Sequence, residues 1–186
     1  MKHWWLILAP VLLATPALAE EKVTFAELQG ASLEATFVID QVVRRNGREI
    51  PVRVENDWKI QFQPGDVIHH TTTPTVTGPR GQRKGEVSSG PFTLGKSQTV
   101  MGRGGGQGLY TFSDGNLVFM RTFKKGAFRM SIAFARQSDK LACTVNASLA
   151  REGGIGSLEM VGLDGQPIAI MSYKQVSSVC HLKKQE

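Results

Sequence analysis

The chain has 186 residues, and its 22 Lys and Arg against 16 Asp and Glu give a formal net charge of +6. A hydrophobic content of 41% with 20% charged residues excludes a disordered chain, and the length suits one domain. After the N-terminus no apolar run reaches 18 residues, which excludes a helical membrane protein.

The first 19 residues have the three parts of an export signal. Lys2 supplies a positive charge, residues 4–13 an apolar segment, and Ala17 and Ala19 the small side chains of a cleavage site. A buried N-terminal helix is the alternative. We predict a signal peptide over residues 1–19 and a single all-β domain over residues 20–186, in the periplasm or secreted. Cleavage of the 186-residue chain leaves 167 residues at +5, because Lys2 is the only charged residue removed.

Short strands joined by tight turns are predicted for the rest of the chain. Asn46-Gly47 is the strongest hairpin signal, because a type I′ turn needs positive φ at both central residues. Pro51 lacks an amide hydrogen, which predicts an edge strand or a bulge there. Nine to eleven strands are expected among the β-rich segments 23–28, 32–43, 48–54, 58–62, 67–73, 109–112, 117–123, 128–134, 141–149, 158–161, 167–174 and 175–182.

Residues 74–108 are unusually rich in glycine and proline. They predict either a long loop or a loop that encloses one short strand near residues 92–101. Long segments without structure of their own are often functional.

The strand pattern, with no convincing amphipathic helix, predicts an all-β fold. It is either an antiparallel β-barrel, calycin-like, or a β-sandwich. Export together with an even cysteine count predicts a disulfide between Cys143 and Cys180. Two free thiols or a pair of metal ligands are the competing interpretation.

Two motifs suggest chemistry but lack its context. Residues 90–97 match the phosphate-binding pattern G-x-x-x-x-G-K-S, yet β-branched and glycine residues follow where a helix is needed. His69 and His70 are neighbours on a predicted strand, so their side chains face opposite sides and cannot easily chelate one ion. We therefore expect no nucleotide, metal or cofactor, and no catalytic residue.

Basic residues gather at predicted turns. An anionic partner such as phospholipid, lipopolysaccharide or nucleic acid is one interpretation, and solvated hairpin tips are the other. Nucleic acid is disfavoured because no aromatic side chains interleave with the basic ones. The candidate anion-binding residues are Arg44, Arg45, Arg48, Arg80, Arg83, Lys84, Lys124 and Lys125.

The C-terminal half resembles a group of small exported bacterial proteins of unknown function, of alphaproteobacterial type. The resemblance covers roughly residues 108–182 and implies a periplasmic or secreted β domain with a C-terminal disulfide pair, without an activity. The segments that carry it are 126–129, 132–136, Cys143-Thr144, 150–152, 164–168, Ser172, 174–178 and Cys180.

These features favour a non-enzymatic exported protein that binds a small apolar molecule or an anionic envelope component. The alternative is an interaction protein that inhibits an exogenous hydrolase through segment 74–108. An enzyme that uses the region of His69 and His70 is the third hypothesis.

Overall fold

The protein is seen in a computed structural model that describes residues 22–85, 87–100, 106–123, 126–138, 140–151, 158–162, 164 and 166–184. Side chains at 87–89, 151, 158, 160 and 161 are not described. The predicted signal peptide, residues 1–19, lies outside these ranges. No helix in the described part of the chain is long and apolar enough to cross a membrane.

The described residues form one short helix and twelve strands, of which eleven have at least four residues. Alternation of buried and exposed side chains runs along most strands, as expected for strands with one face on a core. The elements are α1 (Phe25–Leu28), β1 (Ala31–Arg45), β2 (Arg48–Gln63), β3 (Val67–Gly78), β4 (Gly81–Lys84), β5 (Val87–Thr93), β6 (Gln98–Thr99), β7 (Gln107–Ser113), β8 (Asn116–Phe123), β9 (Gly126–Gln137), β10 (Lys140–Arg151), β11 (Leu158–Val161) and β12 (Pro167–Lys184).

Two antiparallel sheets enclose the core, and the predicted all-β class is confirmed. The first sheet has the order β11-β12-β1-β2-β3-β4, with β5 also paired to β3, and the second has the order β10-β9-β8-β7-β6. At one seam the disulfide Cys143–Cys180 joins β10 to β12, and the Ala147 amide donates to the Gln175 side chain at 2.6 Å. The architecture is a sandwich whose sheets are also tied together at their edges.

At the second seam the segment after β5 bonds to both sheets. The Leu94 amide donates to the Asp66 carbonyl at 2.9 Å, and the Gly95 amide donates to the Tyr110 carbonyl at 2.8 Å. Both seams therefore hold the sheets face to face around one interior.

The β1–β2 hairpin is longer than the sequence pattern indicated. The segments predicted as separate strands at 48–54 and 58–62 are one strand, β2, in continuous register with β1. Asn46 and Gly47 have φ of 49° and 76°, which confirms the predicted turn. Pro51 pairs with Val42 beyond the end of β3, so its missing amide hydrogen faces the unpaired side of β2.

Two segments differ from the prediction. Residues 25–28 form α1 instead of continuing a strand, because the Glu27 carboxylate accepts hydrogen bonds from the Thr24 amide at 2.8 Å and hydroxyl at 2.9 Å. Segment 74–108, expected as a loop, contains the end of β3, all of β4, β5 and β6, and the start of β7. Gly95 lies in the turn after β5 with a positive φ, whereas Pro74, Gly90 and Pro91 lie within strands.

The C-terminal strand β12 also replaces two predicted strands. Its pairing with β1 skips Met171 and Val176, which are β-bulges. The bulges let one 18-residue strand follow the twist of β1 while it changes which side chains face the core.

The interior has two clusters, one at each end of the strands. The larger cluster lies at the end where α1 packs, which we call the closed end; its fully buried side chains include Leu33, Ile60, Ile68, Leu117 and Ile132. Phe25 of α1 makes edge contacts with Phe62 and Phe112, one from each sheet. The helix thus covers this end of the core.

Candidate functional site

The opposite end of the strands collects the basic turns, and we call it the basic end. Since neighbouring strands are antiparallel, the turns after β1 and β3 and the end of β8 all lie at this end, away from α1. Six predicted anion-binding residues lie in the first two turns: Arg44, Arg45, Arg48, Arg80, Arg83 and Lys84. The structure therefore brings together residues from two separate hairpins.

Asp164 ties these two hairpins to each other. Its carboxylate lies 2.5 Å from the Arg45 guanidinium and 3.7 Å from that of Arg83. The hydrogen bond from the Gln166 amide and that from Arg45 lower the pKa of Asp164, so it stays ionised. One carboxylate is shared by two arginines, which leaves positive charge in excess at this point.

The other basic residues of this end differ in their partners. Arg44 pairs with Glu49 at 2.6 Å, across the strands from it. Arg48, Arg80 and Lys84 are exposed and have no ion pair among the described residues. The turns 44–49 and 79–84 together with Asp164 thus carry six basic side chains against two carboxylates.

Two predicted anion-binding residues, Lys124 and Lys125, lie outside the described residues. The strands on either side of them end at Phe123 and begin at Gly126, at the basic end.

The interior is less tightly closed at the basic end. Among the described residues, the buried members of the second cluster there are Val43 and Ile170, which are 7% and 3% exposed. Inward-facing apolar side chains around them keep part of their surface accessible: Ile50, Val52, Phe123, Leu149 and Ile168. This half of the fold presents apolar surface next to its basic turns.

His69 and His70 face opposite sides of β3, as predicted. His70 is 4% exposed, and its Nδ1 lies 2.8 Å from the hydroxyl of the buried Tyr110. Its ring stacks on Phe92, with centroids 5.1 Å apart. Burial, helped by the charge of Arg121, lowers the pKa of His70 to about 3, so the imidazole is neutral at ordinary pH.

The predictions from the sequence did not include two polar side chains, those of Trp58 and Arg121, that face the interior around His70. The Trp58 ring lies 4.8 Å from that of His70, and its indole nitrogen is buried without a hydrogen-bond partner among the described residues. Arg121 follows the alternation of Leu117 and Phe119 on β8, so it faces the interior. The same alternation in the sequence was the signal that could have placed Arg121 inside.

An open groove of about 590 Å³ lies on the outer face of the first sheet. Thr77, Arg53, Asp40 and Lys174 are in register across four strands there, beside Val42, Pro51 and Ser172. Asp40 accepts two hydrogen bonds from Arg53, at 2.7 and 2.9 Å, which lower its pKa. The charges of Asp40 and Arg53 compensate each other, and Lys174 adds one positive charge.

The motif at residues 90–97 spans the end of β5 and the turn before β6, so a strand follows it in the place of the helix that phosphate binding needs. No group of three or more His, Cys, Asp or Glu able to hold a metal ion occurs within the described ranges.

Comparison of the chain with protein-family models, curated proteins and solved structures finds no match. The resemblance to small exported bacterial proteins therefore stays a prediction.

Proposed function

We propose that this protein is a non-enzymatic, exported binding protein whose basic end engages an anionic component of the cell envelope. The observation that carries the proposal is the convergence of Arg45 and Arg83, from separate hairpins, on the single carboxylate of Asp164. Arg48, Arg80 and Lys84 stand exposed around them. A cluster of cations on a rigid scaffold attracts phosphate-bearing surfaces and binds them in a salt-dependent way.

Export is supported by the disulfide between Cys143 and Cys180, because such bonds persist in oxidising compartments. The periplasm or the exterior of the cell is the proposed location. The signal pattern of residues 1–19 points the same way.

A non-enzymatic role is supported by the state of the buried histidine. His70 is neutral, enclosed by aromatic rings and bonded to Tyr110, whose pKa is raised by burial. A general base needs a pKa near the working pH, and His70 has one far below it.

The competing hydrolase inhibitor has lost its main support. That hypothesis needed segment 74–108 as a long loop, and much of the segment lies within the two sheets.

Sedimentation with vesicles tests the proposal. We expect binding to vesicles containing phosphatidylglycerol or lipopolysaccharide, no binding to phosphatidylcholine alone, and a steep loss between about 50 and 500 mM salt. The two anionic vesicles distinguish a phospholipid from a lipopolysaccharide source. Absent or salt-independent binding contradicts the proposal, and preference for duplex DNA over both vesicles points to nucleic acid.

A pair of charge-reversal variants locates the surface. The triple variant Arg48→Glu, Arg80→Glu and Lys84→Glu changes the basic end, whereas Lys96→Glu, Lys140→Glu and Lys184→Glu makes the same change in net charge at the closed end. We expect the first to abolish vesicle binding and the second to reduce it only slightly. Equal losses mean that net charge alone drives association.

A further inference from the structure

Trp58 presents a buried donor without a partner in the described part of the protein. The side chain is 5% exposed, and its Nε1–H has no hydrogen-bond acceptor there. The large majority of buried N–H groups in proteins are hydrogen-bonded, so this one calls for an acceptor that the described neighbouring side chains do not supply.

Aromatic rings surround the indole. His70 lies 4.8 Å away between ring centroids, Phe119 5.3 Å, Phe128 6.1 Å and Phe37 6.4 Å. The Nδ1 of His70 is already engaged by the Tyr110 hydroxyl. The surroundings of the indole are therefore mainly aromatic. The Trp58 N–H is a donor among them and favours a hydrogen-bond acceptor.

Arg121 adds a cation to the same interior. It is opposite Phe128 across the β8–β9 pairing, and Phe128 is itself a neighbour of Trp58. Its guanidinium carbon lies 5.2 Å from the Phe123 ring centroid. Because its charge lowers the pKa of His70, Arg121 acts on the ring that Trp58 contacts. Arg121 faces inward two residues along β8 from Phe119, whose ring lies 5.3 Å from that of Trp58, and a cation so placed suits an anionic ligand.

Inward-facing side chains at this level are less completely buried than those nearer the closed end. Phe128 and Asn56 face inward from opposite sheets, since they share a face with Met130 and Phe37 respectively. Both are only half-buried, whereas Leu33 and Ile132 nearer the closed end are 0% exposed.

We propose that the interior beside Trp58 binds a small molecule in which a carboxylate is attached to an apolar body. The carboxylate accepts hydrogen bonds from Trp58 Nε1–H and from the Arg121 guanidinium. The apolar body packs against Phe119 and Phe128 and extends toward the basic end. This site goes beyond the envelope-binding surface, because it lies inside the fold and does not use the basic turns.

The indole N–H resonance of Trp58 in a ¹H–¹⁵N spectrum reports directly on this acceptor. The probes are octanoate and 1-octanol, titrated at 500 mM NaCl so that attraction to the exposed turns is screened. The resonance is assigned by its absence in Trp58→Phe. We expect octanoate to move it downfield in a saturable way, with at least tenfold tighter binding than 1-octanol.

Two arginine variants on adjacent strands provide the matched comparison. Arg121→Gln removes the inward-facing cation, whereas Arg129→Gln removes an exposed one from the outer face of β9. We expect Arg121→Gln to weaken octanoate at least tenfold and to leave 1-octanol unchanged, Arg129→Gln to change neither, and Arg121→Lys to restore part of the binding.

Three results overturn the proposal: no shift of the indole resonance with octanoate, equal affinities for octanoate and 1-octanol, or equal losses in the two Gln variants. If Arg121→Gln fails to fold, the comparison of the two probes on the unmodified protein decides. A negative octanoate titration does not bear on vesicle binding, and absent vesicle binding does not bear on the octanoate titration. The two proposals can therefore be rejected independently.

Discussion

The closed end and the basic end of this fold are built from the same strands but differ in packing and in charge. At the closed end, side chains from both sheets and from α1 exclude water, and Leu33, Ile60 and Leu117 are 0% exposed. At the basic end, the buried cluster among the described residues consists of Val43 and Ile170, and two arginine-bearing hairpins share Asp164.

The difference separates the half that is expected to carry stability from the half that we propose to bind a partner. Close-packed apolar contacts supply most of the free energy of folding, so the closed end is expected to carry the fold. Half-buried apolar surface beside excess charge contributes less to stability and remains available to a partner.

The largest expected effect on stability comes from the disulfide, which joins β10 to β12 in the closed half. Cys180 is opposite Ala35, and Cys143 is opposite Phe134, both core positions of that half. Cys143→Ala with Cys180→Ala should lower the free energy of unfolding by about 4 kcal/mol less any strain, because the bond joins cysteines 37 positions apart in the chain. Denaturant unfolding measures this, with the reduced native protein as control. A loss below about 1 kcal/mol contradicts it.

Acid should destabilise the closed half through His70. Above pH 6.5 the imidazole is neutral in both states and contributes no pH dependence. Below pH 6.5, His70 of the unfolded chain binds a proton, whereas His70 of the folded protein stays neutral down to about pH 3. The free energy of unfolding should therefore fall by roughly 3 kcal/mol between pH 7 and pH 4.

A double variant isolates this effect. His70→Phe with Tyr110→Phe removes both members of the hydrogen bond and keeps two rings, so it should lose much less stability over the same pH range. Surface carboxylates titrate equally in both proteins and cancel in the difference. Identical pH dependence in the two proteins rules out His70 as the cause.

Matched leucine truncations compare the two ends directly. Leu117→Ala, at a 0% exposed position of the closed end, should cost about 3 kcal/mol. Leu149→Ala, half-buried at the basic end, should cost about 1 kcal/mol. Equal costs in denaturant unfolding remove the distinction between the two ends.

The smallest effect on stability should come from Asp164→Asn. Exposed ion pairs stabilise little, so the melting temperature should change hardly at all. Loss of the carboxylate frees Arg45 and Arg83 for an anion, and binding to anionic vesicles should tighten about threefold at low salt. Weaker vesicle binding by the variant would contradict this prediction and would mean that the anion does not bind at Arg45 and Arg83.

Local patterns were sufficient to predict several elements. The Asn46-Gly47 turn and the opposite orientations of His69 and His70 follow from backbone geometry over a few residues. Helix α1 was missed because its capping residues, Thr24 and Glu27, stabilise only one turn. Segment 74–108 was misread because glycine and proline mark turns whether the intervening strands are short or absent.

The sequence by itself determined the all-β class, the Asn46-Gly47 turn and the cysteine pair, because alternation, turn chemistry and cysteine count can be read without the fold. Only the tertiary structure decided which turns share an end, that Arg45 and Arg83 share Asp164, and that Trp58 contacts His70 inside the fold, where burial and the charge of Arg121 lower the pKa of that histidine. Those relations depend on strand order and register, which join residues far apart in the chain through pairings that no short window contains.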